Sequence, residues 1–327
     1  VSVFSYARTW TTEAQFFGFR WENAMIVFES KNSDLLRMNG DEQRALDEAS
    51  ASVAAKLADV DGLKTFPAVA RQVLGALSSQ EFQFSEVAAL IEGDPSLAAG
   101  VMRMANSAFF SRGKRIAAID QALVRLGARS VREVVSAVAT MDLFPDPVGA
   151  GRQIRDHCAC VAALSQTLAA KVAPNRVEGV FLAGLLHDVG KLLLIESGEA
   201  DYDPGERRPD RDHKEEASLI GFDHAVLGGY VVSRWNLPEP VPRIVTWHHS
   251  PSRAYTNADL GPYVALLRSA DSLDAALQEH PDEPDRIVEK LCDRDDFVFA
   301  GVDRRLLLQT LPLLEQARRD VLELFSK

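Results

Sequence analysis

Seven side chains from position 157 onward are the candidates for holding metal ions: His157, His187, Asp188, His224, His248, His249 and Asp271. The His187-Asp188 pair is central. It lies in Gly179-Val-Phe-Leu-Ala-Gly-Leu-Leu-His-Asp-Val-Gly-Lys191, a stretch apolar on nearly every side, which predicts a buried helix. An imidazole and a carboxylate buried there cost free energy unless something compensates. A divalent cation compensates most strongly, because it holds neutral imidazole and ionised carboxylate together. His157 falls on a predicted helix whose apolar row is Ile154, Cys158, Val161 and Leu168. His224 follows Asp223 at a helix start, and His248-His249 end a helix cut off by Ser250-Pro251. Asp271 shares a row with Val264, Leu267 and Asp274. Any one of these histidines alone is more often a satisfied core or cap residue than a ligand. Their recurrence with carboxylates on separate helices points instead to one or two divalent transition ions, Fe, Mn or Zn.

The elements that must carry these residues are helices. After Phe66, Pro67 opens a helix to Leu77, and Ser85 is expected to cap the next. Asp94-Pro95 pairs an N-cap with a first-turn proline ahead of Leu97, Val101, Met102 and Ala105. Ile119–Leu126 reads as a helix stopped by Gly127, and Ser130 with Glu133 has capping-box spacing for a further helix. Pro145-Asp-Pro147 to Gly151 breaks the pattern and marks a boundary. Further helices are expected near 152–173, 177–195, 223–235, 240–249, 261–279 and 303–325, with a surface loop over 196–217. The aromatic-rich first 40 residues have no clean period, and a helix follows over about 40–57. The class is all-α.

Composition is that of a globular chain: 46% hydrophobic and 25% charged over 327 residues. No apolar run suits a bilayer and no secretory leader stands at the start, so membrane attachment is not expected. Cys158, Cys160 and Cys292 are too few for a disulfide framework. They read as core residues in a reducing cytoplasm. The net charge of −11 opposes broad nucleic-acid binding. One region departs from that balance: Arg103, Arg112, Lys114, Arg115, Arg125, Arg129 and Arg132 face a single nearby acid, Asp120. A solvated face explains them most simply, and a patch for an acidic or phosphate-bearing partner is the sharper reading. DNA binding through the helix-turn-helix-like Ile119–Val138 stretch is the weakest of the three.

His157, His187-Asp188 and Asp271 in this order resemble the H…HD…D signature of the HD superfamily of metal-dependent phosphohydrolases. The resemblance is closer to its HDOD branch, the HD-related output domain of bacterial signalling proteins. It is carried by Phe66-Pro67, Ile91-Glu-Gly-Asp-Pro-Ser-Leu97, Met104-Ala-Asn-Ser-Ala-Phe109, Ala122-Leu-Val-Arg-Leu-Gly127 and Leu185–Lys191. Asp223-His224-Ala, Trp235-Asn-Leu-Pro238 and His248-His249-Ser-Pro251 extend it. The resemblance implies a two-lobed helical bundle: an N-terminal extension over 1–59, a first lobe over 60–147, a metal-binding lobe over 148–280 and a helical segment over 281–327. It implies His157, His187, Asp188 and Asp271 as core ligands, Asp188 bridging two ions, and His224, His248 and His249 as additional ligands. Lys191 would contact phosphate beside Asp188, and a binuclear site would activate a bridging hydroxide. Two features depart from the cyclic-di-GMP-cleaving relatives. Their Gly-Tyr-Pro segment is missing after His248-His249, and Gln153 stands where trinuclear versions carry glutamate. The expected function is therefore a bacterial signalling or regulatory protein with a metal site and a partner-binding lobe, its partner a signalling protein or a nucleotide second messenger. An active phosphohydrolase or phosphodiesterase acting on a nucleotide is the competing expectation.

Overall fold

The computed structural model describes residues 66–79, 81–110, 115–144, 149–174, 177, 179–197, 209–235, 237 and 239–325. The expected 40–57 helix, the aromatic N-terminus, Arg112, Lys114 and the Pro145–Pro147 break lie outside them. Every regular element among the described residues is a helix. The first group comprises α1 (Ala68–Leu77), α2 (Phe84–Glu92), α3 (Pro95–Ala105) and α4 (Ile119–Leu143). Asp94 caps α3 as expected, accepting from the Leu97 N–H at 3.0 Å with Pro95 in the first turn. Two expected caps are corrected. Gln83 precedes α2, so Ser85 lies inside its first turn. In α4 the chain breaks at Gly127 (φ 74°, ψ 162°) and resumes at once, so Ser130 falls within the helix and not ahead of it. Glu133, three residues on, is buried and accepts from Gln166 at 2.9 Å.

The second group is α5 (Ala150–Val172), α6 (Val180–Leu186), α7 (Val189–Ser197), α8 (Pro209–Ile220), α9 (His224–Arg234), α10 (Val241–Trp247) and α11 (Pro251–Ala254). It continues through α12 (Gly261–Glu279), α13 (Pro284–Leu291), α14 (Asp295–Ala300) and α15 (Arg304–Phe325). α5 is the axis, with α6, α12 and α15 packed around it. Its middle is small: Ala159, Ala162 and Ala163 are fully buried. A Cβ added at Gly184 of α6 would lie 2.6 Å from the Ala162 Cα, so only glycine lets the two helices cross this closely. The close crossing brings His157 and His187 together, with ring centroids 5.2 Å apart.

Two expectations for this group are overturned. The segment 196–217 is not a loop throughout, because α8 occupies its second half. The predicted helix over 177–195 is two helices, divided at His187-Asp188. His187 itself keeps helical dihedrals (φ −58°, ψ −37°), so the chain bends little where the two ligand-type residues stand side by side. The two groups are joined by aromatic contacts, Phe109 and Phe110 against Phe181 at 5.7 and 5.5 Å, and Phe66 against Trp235 at 5.5 Å.

Candidate metal centre

The structure brings all seven predicted ligands together. Asp188, His224, His248 and His249 form one set, and His157, His187 and Asp271 a second. Within each set one donor atom per residue lies within 4.8 Å of the others. Asp188 stands between the sets. Its Oδ1 is 3.0 Å from His224 Nε2 and 3.9 Å from His248 Nε2, while its Oδ2 lies 3.5 Å from His187 Nε2.

The imidazoles are oriented by what holds their outer nitrogens. His187 Nδ1 donates to the Gly184 carbonyl at 2.8 Å, and His248 Nδ1 to the Val245 carbonyl at 2.6 Å. Each bond uses the ring's proton on the outer side and leaves the Nε2 lone pair facing inward. His157 Nδ1 sits 2.7 Å from Asp274 Oδ2, and His224 Nδ1 2.8 Å from Glu216 Oε2. His248 Nε2 is buried with no hydrogen-bond partner among the described residues. A nitrogen taken out of water and left without a partner is costly. His249 Nε2 lies 2.9 Å from His224 Nε2. That is hydrogen-bond distance, and it leaves the two nitrogens close enough for one cation to reach both. The inward Nε2 lone pairs of His187 and His248, the orphaned position of the latter, and a carboxylate between the sets together fit a divalent ion.

The electrostatics agree. Burial pushes His248 and His249 well below the usual histidine value, helped by neighbouring imidazoles. Burial also lowers His187, so these three rings are neutral and able to coordinate. Burial opposes charge on His157 too, but Asp271 and Asp274 outweigh it and raise the ring to about 10. His224 is raised to about 9, the carboxylates of Asp188 and Glu216 outweighing burial and Lys191. Burial works against the Asp188 charge, yet His187, Lys191 and His224 hold its carboxyl well below its ordinary value. Without a cation, then, two imidazoliums and the Lys191 ammonium balance the buried carboxylates. Lys191 is itself buried, with Nζ 3.0 Å from Asp188 Oδ2. Cys158 also lies beside His187 and Asp188. Burial raises its thiol well above the usual value, in keeping with a core cysteine.

Sequence reasoning alone misses four residues that touch or brace the predicted ligands: His213, Glu216, Asp274 and Arg318. Glu216 lies in the segment expected to be a loop. The i, i+3 spacing of His213 and Glu216 on α8 is the available signal: His213 stacks on His249 with centroids 4.3 Å apart, and Glu216 grips His224. Asp274 stands out in the sequence only as a member of an apolar row. Arg318 on α15 donates to Asp274 Oδ1 at 2.7 Å, and nothing in its local sequence marks it. A further brace ties α12 to α14: Arg268 bonds Asp296 Oδ1 at 2.7 Å and the His248 carbonyl at 2.5 Å.

Residues 63–251, more than half of the chain, match a family model described as HDOD domain. The fold is similar to an HDOD domain protein of unknown function from Geobacter sulfurreducens, with TM-score 0.66 and 22% identity, covering 85% of this chain and 99% of that one. It is also similar to a candidate metal-dependent phosphohydrolase from Shewanella amazonensis SB2B, with TM-score 0.60, 19% identity and coverages of 87% and 99%. A candidate signal-transduction protein from Marinobacter aquaeolei VT8 gives TM-score 0.63 and 19% identity, with coverages of 90% and 68%. At these identities the likeness is one of fold. An uncharacterised protein of Treponema pallidum (strain Nichols) is 25% identical over 207 residues, 62% of this chain and 40% of the relative's own length.

Proposed function

This chain belongs to the HDOD family, and from that premise we propose that it is a signal-transduction or regulatory protein built around a divalent-metal centre, its first helical group serving as a partner surface. One observation carries the reading: the Nε2 atoms of His187, His224, His248 and His249 gather around the Asp188 carboxylate, while the outer nitrogens of His187, His224 and His248 are tied to acceptors. Asp188, His224, His248 and His249 would hold one ion, and His157, His187 and Asp271 a second, with Asp188 between them. When bound, such ions supply Lewis acidity toward a phosphoryl oxygen or water. The protein's own contribution is to exclude water and fix the rings. The side chains of His187, Asp188, His224 and His248 are nearly fully buried, an arrangement better suited to holding an ion than to admitting a large substrate. The partner surface rests on Val124, 73% exposed on α4, beside exposed Arg125 and Arg129. That combination suits an acidic partner protein with an apolar contact.

Metal analysis of the full chain, purified without added metal, tests the reading. One or two transition ions per chain are expected, lost in His187→Ala and in Asp188→Ala. Protein free of metal, and taking up none from Mn, Fe or Zn solutions, refutes it. A second reading, metal-dependent phosphohydrolase, is favoured by Asp188 offering one oxygen to each set and by Lys191 at its side. Turnover of any member of a panel of nucleotides, cyclic dinucleotides and phosphomonoesters, abolished by Asp188→Ala, would establish it. Bound metal without turnover supports the regulator.

A further inference from the structure

The two halves of the centre are built alike. In each, one histidine leans on a carbonyl of its own helix: His187 on Gly184, and His248 on Val245. In each, a second histidine leans on a carboxylate that belongs to neither ligand set: His157 on Asp274, and His224 on Glu216. We propose that Asp274 and Glu216 are positioning residues, each dedicated to one half of the centre, with Arg318 bracing Asp274. The proposal rests on the metal reading above and extends it to residues outside the ligand sets.

Asp274 has no exposed surface, and both its oxygens are engaged. Oδ2 receives His157 Nδ1 at 2.7 Å and Gln278 Nε2 at 2.6 Å, and Oδ1 receives Arg318 Nε at 2.7 Å. A carboxylate so occupied acts through the ring it holds. Asp271, three residues earlier on α12, takes the inner side of the same ring, with Oδ1 3.2 Å from Nε2. Both oxygens of Glu216 meet His224. Oε2 accepts from the His224 backbone N–H at 2.6 Å and meets the ring at 2.8 Å, while Oε1 lies 3.0 Å from the same Nδ1. Glu216 therefore fixes both the ring and the point where α9 begins. A carboxylate behind a ligating histidine sets the tautomer, the ring plane and the basicity of the coordinating nitrogen, and losing one costs about tenfold to a hundredfold in metal affinity. The braces also reach the centre from elements that carry no ligand: α8 supplies Glu216 and α15 supplies Arg318.

Titration of the metal-free full chain with Zn²⁺ by calorimetry, checked by ion content after gel filtration, separates the two halves. His157→Ala and His249→Ala identify which class of site each half produces. Asp274→Asn is expected to weaken the class lost in His157→Ala by about tenfold to a hundredfold and leave the other unchanged. Glu216→Gln is expected to do the converse. Co²⁺ absorption bands should shift on the affected side alone, which general destabilisation would not produce. Should Asp274→Asn fail to fold, Arg318→Met, at a partly exposed position, is expected to weaken the same class to a smaller degree. Wild-type protein holding two ions while a variant weakens both classes alike, or neither, overturns the proposal and leaves the metal reading standing. Wild-type protein taking up no ion overturns the metal reading, and one ion only overturns the division into halves; the proposal falls in both cases.

Discussion

Gly190→Ala is the sharpest perturbation of how the centre is held. Gly190 lies in α7 against the first residue of α9. A Cβ added there would fall 2.0 Å from the His224 carbonyl oxygen, 2.8 Å from its carbonyl carbon and 2.9 Å from its Cα. Ordinary contact begins near 3.4 Å, so α9 must retreat by about 1.4 Å. The obstruction is backbone, which cannot rotate away as a side-chain tip could. Overpacking of this kind costs about 1–3 kcal/mol, and the upper end is expected here. With an unfolding entropy of about 2.1 cal/mol/K per residue, 327 residues give about 1.5 °C per kcal/mol, so the melting midpoint of metal-free protein should fall by about 4 °C. His224 carries the ring that sits 3.0 Å from Asp188 Oδ1. Functional constellations tolerate about 0.5 Å of displacement, so Zn²⁺ affinity should also drop by tenfold or more in calorimetry. Gly75→Ala is the control. Nothing lies within 4 Å of its added Cβ, and replacing glycine at a compatible helical site should gain about 0.4–1 kcal/mol. A Gly190→Ala protein that melts within about 1 °C of wild type and binds Zn²⁺ unchanged would refute the packing argument.

Other outcomes are expected from the same geometry. At pH 7.5, His157 and His224, raised to about 10 and about 9, each carry a proton that a cation must displace. Loading both halves should therefore release close to two protons, read by calorimetry in buffers of different ionisation enthalpy, and release near zero would contradict the pairing. By linkage, a raised folded value stabilises fully below the unfolded value of about 6.5 and loses that contribution as pH rises through the folded value. Metal-free protein should thus weaken between about pH 6.5 and 10, while metal binding tightens over the same window. EDTA should lower the unfolding free energy of protein loaded at a hundred times its dissociation constant by about 2.7 kcal/mol; an unchanged denaturant midpoint would count against bound metal. Phe181→Ala removes the fully buried ring that Phe109 and Phe110 pack on and should cost about 3–5 kcal/mol in urea unfolding.

Much of the helical order was legible because its signals are local. The Asp94-Pro95 start of α3 and the Gly127 break in α4 depend on caps and turns that need few neighbours. The ligand-type residues were legible for a different reason: histidine and aspartate in an apolar helix are conspicuous by cost alone. Less visible was everything set by tertiary packing. The division at His187-Asp188 carries no proline or other local mark in the sequence. Glu216 sits among Lys214, Glu215 and Ser218, and its neighbours mark it as solvated, yet it is buried with both oxygens on His224. Arg318 resembles any other charge on an amphipathic helix, and only the fold, by packing α15 on α5, gives it Asp274 as a partner. Residues that act by bracing others leave no signature of their own, since their chemistry is defined by the partner.

The family match ends at residue 251, twenty residues short of Asp271. A fragment trimmed to that limit would retain the six histidines from His157 to His249, yet it would lack α12 and α15, which pack on α5. Cys160, Leu164 and Leu168, buried in the intact fold, lie on that central helix, and losing its neighbours would turn part of an interior wall into sticky surface. Such a fragment should aggregate even with its histidines intact. The useful unit for dissecting this protein therefore runs on to the end of α15.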